Sequence, residues 1–400
     1  MGVQQPCLYF WSELCALSVN PDYHKNKVDP LNESSAFYGF VGNEAAVRRL
    51  ARVAFLALSK TDHQCSNFSF ALLGPASTGK TTLAERFAKC LELPFVKIQP
   101  KSITSVNDIL VKAAEVCKNF NLEILVENEL GDEDDPRDYS QKVADYEKLN
   151  YDFQVEAWSG DGTPPDIWLP PMVIFIDEVH ALKNGVMQGL LTAIESKDRR
   201  MQTEKGFDVD CSRVCWIVAT TERGQLFGPF DSRFVKITLD YYTRKQIAEI
   251  IHVNYSSWNE QKCELVSQYA GHIPREALDF AAEVEIEKKM SPEDSWKVIV
   301  QRVADDRGID IRTGLTRTRL KIITELAQGP ISKSRIGMEA RCELEELERF
   351  VMPVLLSDVS GEPALVAVCN KGYCLTREGL DFCVKHGITN KGEEALPNGS

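Results

Sequence analysis

The stretch GPASTGKTT, Gly74 to Thr82, constrains what this chain can fold into more than any other. Upstream, FSFALLG (68–74) has the apolar density of a buried strand. Downstream, TTLAERFAKCLE (81–92) repeats its apolar residues at helical spacing. A strand that turns through G-x-x-x-x-G-K-[ST] into a helix builds a cradle for phosphate. Gly74 and Gly79 let the backbone wrap an anion, with Pro75, Ala76, Ser77 and Thr78 along it. The amides and the helix N terminus face the phosphate oxygens. Lys80 adds a point charge, and Thr81, followed by Thr82, offers a hydroxyl to Mg²⁺.

A second strand pattern, MVIFI, runs straight into Asp177 and Glu178. Adjacent carboxylates at the end of a buried strand repel each other and are costly to bury unless a cation or a ligand meets them. Beside a magnesium nucleotide they divide the work: Asp177 holds the metal, directly or through water, and Glu178 orients and activates the attacking water. His180 follows, where a local hydrogen-bonding role is the simpler reading. A third strand pattern, CWIVATT (215–221), ends in Thr220 and Thr221. Thr221 is placed to touch the outer phosphate or the attacking water, though a strand-end threonine also serves as a cap. Arg233, in GPFDSRF, fits a salt-bridged loop, or a cation that stabilises transition-state charge in a neighbouring subunit.

Strands alternating with helices predict a parallel α/β sheet. At 400 residues the chain exceeds one ordinary domain. Residues 1–36 read as an N-terminal extension, 37–238 as the nucleotide-binding α/β domain, 239–307 as a helical domain, and 308–387 as a further small domain after a joint at Arg307-Gly308. Residues 388–400 read as a disordered tail. Residues 118–169 break the rhythm with an acidic cluster (Glu129 to Asp135) and a Gly/Pro-rich end. They read as a solvated insertion, or, with Trp158 and Trp168, as a protein-partner element. The net charge of −13 argues against a chain that coats nucleic acid over its whole surface and leaves room for a local binding face. Twelve cysteines without a secretory leader, and no apolar run of membrane-spanning length, predict a cytoplasmic protein with reduced thiols. Cys211 and Cys215 lack further ligands at zinc spacing and read as buried thiols.

Taken in order, YGFVGNE (38–44), GPASTGKTT, DEVHAL (177–182), VATTERG (218–224), DSRF (231–234), YYTRKQI (241–247) and GHIPREAL (271–278) resemble the AAA+ ATPases. Within them they resemble the RuvB family of bacterial Holliday-junction branch-migration motors, over about residues 37–386. The resemblance implies an AAA+ core, a helical lid and a C-terminal winged helix. It implies ATP and Mg²⁺ as cofactors, a hexameric ring and a DNA substrate. By position it implies that Val41 and Gly42 lie near the adenine, that Arg275 is the lid arginine sensing the γ-phosphate, and that Arg233 is a finger acting in trans. The chain departs from the family where Glu222 precedes Arg223 after the ATT, in the altered hairpin SKDRRMQTEKGFDVDCSRV, and in the acidic insertion.

The C-terminal segment reads independently as three helices, a two-stranded hairpin around Asn370-Lys371-Gly372 and a last helix, a pattern that resembles a winged helix. From Asp310 to His386 it carries eleven Lys/Arg and eleven Asp/Glu, so its net charge is zero. Lys333, Arg335, Lys371 and Arg377 are the candidate DNA contacts. Protein contact is the alternative use of such a domain. Two functional classes therefore stand against each other: an ATP-driven DNA motor, and an AAA+ loader or switch acting on a protein complex. A module that binds nucleotide without turnover is disfavoured by the presence of Glu178, Thr221, Arg233 and Arg275.

Overall fold

The structure, a computed structural model, describes residues 21–59, 68–113, 115–116, 167–169, 171–195, 199–202, 208–221, 228–344, 347–356 and 363–388. Outside them lie residues 1–20 of the N-terminal extension, most of the 118–169 insertion with its acidic cluster and Trp158, and residues 203–207 within the segment SKDRRMQTEKGFDVDCSRV. Glu222, Arg223, Glu345, Glu346 and the tail beyond 388 also lie outside them. The chain divides into two compact units. One comprises Met1–Phe40, Glu44–Gly74 and Gly79–Leu239; the other comprises Val41–Asn43, Pro75–Thr78 and Asp240–Ser400.

The first unit is built on a parallel five-stranded sheet. Its strands are β1 (Ser69–Leu73), β2 (Phe95–Ile98), β3 (Met172–Ile176), β4 (Val214–Thr220) and β5 (Val235–Thr238), in the order β2-β3-β4-β1-β5. Every residue of the three inner strands is buried, whereas β2 and β5 at the edges expose part of theirs. That contrast is what helices on both faces impose: a central parallel strand has no wet side. Side chains alternate between two cores. Leu73, Ile174, Ile176, Trp216 and Val218 enter one, with Leu190 and Ile109; Phe70, Leu72, Phe175, Cys215 and Ile217 enter the other, with Leu50, Leu83 and Phe87. The second core is closed by α2 (Glu44–Ser59) and α3 (Lys80–Cys90), and the first by α4 (Asn184–Ile194); α1 (Pro21–Val28) precedes them. At the β5 edge Arg49 of α2 donates to the Lys236 carbonyl at 2.8 Å. Burial pushes the Cys211 thiol up to about 12 and the Cys215 thiol further, so both stay protonated and packed. The short strands Arg200–Gln202 and Asp208–Asp210 pair antiparallel.

The second unit holds α5 (Arg244–Asn254), α6 (Glu260–Ser267), α7 (Pro274–Met290) and α8 (Trp296–Asp306) around one core that includes Ile247, Val266, Phe280 and Val300. A capping box starts α5: the Thr243 hydroxyl accepts from the Gln246 amide, and the Gln246 side chain accepts from the Thr243 amide. After the left-handed Gly308 a second core, with Ile323, Leu347, Leu355 and Val366, gathers three more helices. These are α9 (Arg317–Leu326), α10 (Lys333–Ala340) and α11 (Arg377–Lys385), with the hairpin β6 (Val366–Cys369) and β7 (Gly372–Leu375). Ile331 bridges to Tyr373 and adds a third strand position to the hairpin. The third helix expected over 342–356 is irregular: a π-helical turn, Leu347–Val351, leads into a short helix, Met352–Leu356. Pro353 explains this in part. It removes one amide donor and crowds the carbonyl four residues back, so a regular ladder cannot run through it.

Candidate active site

The strand order puts the three polar signals of the first unit side by side. β4 lies between β1 and β3, so the phosphate loop leaving β1, the acids leaving β3 and the threonines ending β4 share the carboxyl edge of the sheet. With ~4.8 Å between neighbouring strands, the β1 and β3 ends stand roughly 10 Å apart. Ligands of open parallel sheets bind at this edge.

The loop leaving β1 is shaped by two left-handed residues, Ser77 (φ 58°) and Gly79 (φ 88°). Gly79 sits at the N-cap of α3 and brings no side-chain cap to the helix. The first turn therefore presents backbone donors where an anion is accepted. The Thr78 hydroxyl closes the loop on the Pro75 carbonyl at 2.9 Å. Lys80 is buried and donates to the Gly74 carbonyl at 2.9 Å. Burial holds its ammonium below the ordinary lysine range, against the opposing pull of Glu178 and Asp177. An uncapped helix start and a desolvated cation next to it fit a phosphate group. Gly74 has no room for anything larger: a Cβ there would lie 2.3 Å from the Leu239 carbonyl oxygen. Gly74→Ala is expected to push the loop out of place, lowering stability by about 1–3 kcal/mol and weakening nucleotide binding; a thermal melt with and without nucleotide checks it.

Asp177 and Glu178 follow β3. Glu178 takes a left-handed conformation, φ 47° and ψ 53°, and starts a short 3₁₀ turn, Val179–Ala181. Its Oε2 accepts from the Thr221 amide at 3.1 Å and from the Thr221 hydroxyl at 3.0 Å. What the structure gives Thr221 is a direct bond to the acid. His180 Nδ1 lies 2.9 Å from the Thr220 hydroxyl and 3.3 Å from Glu178 Oε2. Among the described residues no group of three or more His, Cys, Asp and Glu is arranged to hold a metal. Mg²⁺ needs none: it keeps most of its waters and takes one or two protein donors plus phosphate oxygens. Thr81, half-buried in the first turn of α3, and Asp177, at the end of β3, are the residues that could hold it.

Arg233 follows a short helix, Gly228–Asp231. It donates to the Pro229 carbonyl and pairs with Glu195 at 3.1 Å, while its Nε is buried without a hydrogen-bond partner. Within its own chain it is a tethered arginine.

In the second unit, Val41 to Asn43 and Pro75 to Thr78 gather at the start of α5. Tyr242 is buried, and its hydroxyl donates to the Thr78 carbonyl at 3.0 Å. Gly42 (φ 74°) faces the Tyr242 ring so closely that a Cβ would come within 2.7 Å of it. Asn43 exchanges two bonds with Asp240, accepting from its amide at 2.7 Å and donating to its carbonyl at 3.3 Å. Tyr242 and Asn43 are the residues that residue-by-residue reading missed. The YYT motif was the signal for the first; nothing local marks the second. Arg275, at the second position of α7, is exposed, as are Arg335, Lys371 and Arg377. Lys333 is paired with Glu348.

Residues 70–240 match the family model described as AAA, ATPase family associated with various cellular activities. RuvB of Thermotoga maritima, a Holliday junction branch migration motor, superposes with a TM-score of 0.56 at 21% identity, over 86% of this chain and 94% of its own. A lysine-to-arginine mutant of that protein gives 0.57 at 20% identity, over 86% and 94%. A proline-to-glycine mutant gives 0.57 at 21%, over 86% and 95%. None of the curated protein sequences matches this one. At such identities the structural likeness concerns the fold.

Proposed function

We propose, from the premise that this chain is an AAA-family ATPase carried on a RuvB-like fold, that it couples ATP hydrolysis to movement or remodelling of DNA in a homo-oligomeric ring. The observation that carries the ATPase half is the meeting of Glu178 with Thr221 on the sheet edge that also bears Lys80 and Asp177. In this reading Lys80 neutralises the outer phosphates, and the amides of Ala76 to Thr81 hold them. Thr81 and Asp177 hold Mg²⁺, which when bound neutralises charge developing on the phosphates. Glu178 takes the proton of the attacking water. Thr221 orients Glu178. Val41 and Gly42 border the adenine, Arg275 reads the γ-phosphate, and Arg233 leaves Glu195 to serve a neighbouring subunit.

The DNA half is supported by the order of 308–387, two helices, an irregular third helix, a hairpin and a last helix, read as a winged helix, with Arg335, Lys371 and Arg377 exposed on it. A second reading, a loader or switch that acts on a protein complex, has its own support: the segment has no net charge, and Lys333 is already paired with Glu348. A weak basic footprint makes weak, salt-sensitive DNA binding. Among the described residues no helix is long and apolar enough to cross a membrane.

ATPase rate measured with no DNA, linear duplex and a four-way junction, together with native mass in ATP and Mg²⁺, separates the readings. Stimulation by DNA and a ring-sized mass are expected. Indifference to every DNA, with stimulation by a protein alone, would leave the loader. Replacing Arg335, Lys371 and Arg377 together by alanine is expected to abolish the stimulation and leave DNA-free turnover unchanged.

A further inference from the structure

We infer that His180 is a positioning residue for hydrolysis, acting through Glu178; the inference rests on the reading of Glu178 as the base. Nδ1 of His180 lies within reach of two oxygens, Thr220 Oγ1 at 2.9 Å and Glu178 Oε2 at 3.3 Å. A carboxylate oxygen only accepts. A ring nitrogen with its lone pair turned on Oε2 would repel it, so the geometry favours the tautomer with the proton on Nδ1, donated to Thr220 Oγ1 with its positive end close to Oε2. Thr220 is fully buried at the end of β4, so the imidazole is moored to a buried strand in the middle of the sheet. The left-handed backbone at Glu178 and the 3₁₀ turn after it bring the ring to the same strand end as the carboxylate.

The consequence concerns the two oxygens of Glu178. Oε2 receives the Thr221 amide and the Thr221 hydroxyl, and the His180 ring nitrogen stands 3.3 Å from it. Among the described residues no group donates to Oε1. Oε2 is therefore the anchored oxygen, and Oε1 is the one presented to a water molecule. His180 touches neither water nor nucleotide in this scheme; it sets the angle at which Oε1 is offered. A general base must meet its proton at hydrogen-bond distance and direction, so a loosened carboxylate lowers turnover without changing nucleotide affinity.

The test compares His180→Ala, His180→Gln and His180→Asn. The asparagine amide nitrogen falls near Nδ1, whereas the glutamine amide falls near Nε2. Alanine and glutamine are expected to lower kcat about tenfold or more, with KM for ATP, the Kd of a non-hydrolysable ATP analogue and the melting temperature unchanged. Asparagine is expected to restore most of the rate. Wild-type kcat in His180→Ala would overturn the inference. So would rescue by glutamine and not by asparagine, or a parallel loss of melting temperature and analogue binding in all three, since each would mark a space-filling role. The underlying reading fails separately, on its own variant. Normal turnover in Glu178→Gln removes the base itself. A dead Glu178→Gln beside a normal His180→Ala removes the positioning role alone. With both as expected, adding His180→Ala to Glu178→Gln causes no further loss.

Discussion

Glu178→Gln is expected to bind ATP as the parent does and to turn it over about 10²- to 10⁴-fold more slowly, the range in which a positioned general base contributes. The glutamine keeps the size of the side chain and can still accept from the Thr221 amide and hydroxyl through its carbonyl, so the site should keep its shape. What it loses is the capacity to take a proton. Equilibrium binding of a labelled nucleotide, set beside a steady-state phosphate-release assay, reads both halves. Retained turnover would remove Glu178 from the chemistry. Lost binding would mean that the carboxylate serves the architecture of the site instead.

Lys80→Ala carries the second large effect, on binding. The ammonium is buried and depressed by desolvation, and a nucleotide phosphate is the partner that repays that cost. Removing one member of a buried charge pair costs about 2–5 kcal/mol, or roughly thirtyfold to several thousandfold in affinity. The folded state, by contrast, should tolerate the change or gain from it, because the variant no longer buries a cation. A raised or unchanged melting temperature together with lost nucleotide affinity is the expected pair of results. A chain that unfolds on this substitution would show that the Lys80 bond to the Gly74 carbonyl holds the loop up.

Much of the sheet was legible because its inner strands are buried on both faces. Runs such as MVIFI and CWIVATT have no polar side to confuse their period, and each ends in the residues that matter. The phosphate loop was legible because its spacing is set by local backbone geometry, visible again in the left-handed Ser77 and Gly79. The roles of Tyr242 and Asn43 were not, because they are made by partners far along the chain: Thr78 for the first, Asp240 for the second. The bond between Thr221 and Glu178 spans 43 positions and has no local signature. Nor could spacing reveal that Arg233 meets Glu195, or that helical periodicity over 342–356 would give way to a π turn before Pro353. Short-range patterns settle what a segment becomes; long-range contacts settle which side chain holds which.

The contact of Arg49 with the Lys236 carbonyl also bears on how copies of this chain can meet. An outermost strand invites a foreign strand to continue the ladder. Here a guanidinium occupies one of the acceptors that such a newcomer would need, and the exposed ion pair of Lys236 with Asp231 stands beside it on the rim. Growth of the sheet from one molecule into the next is thereby discouraged along β5. Any association between copies is left to side-chain surfaces, which can slip and re-form without breaking a backbone ladder.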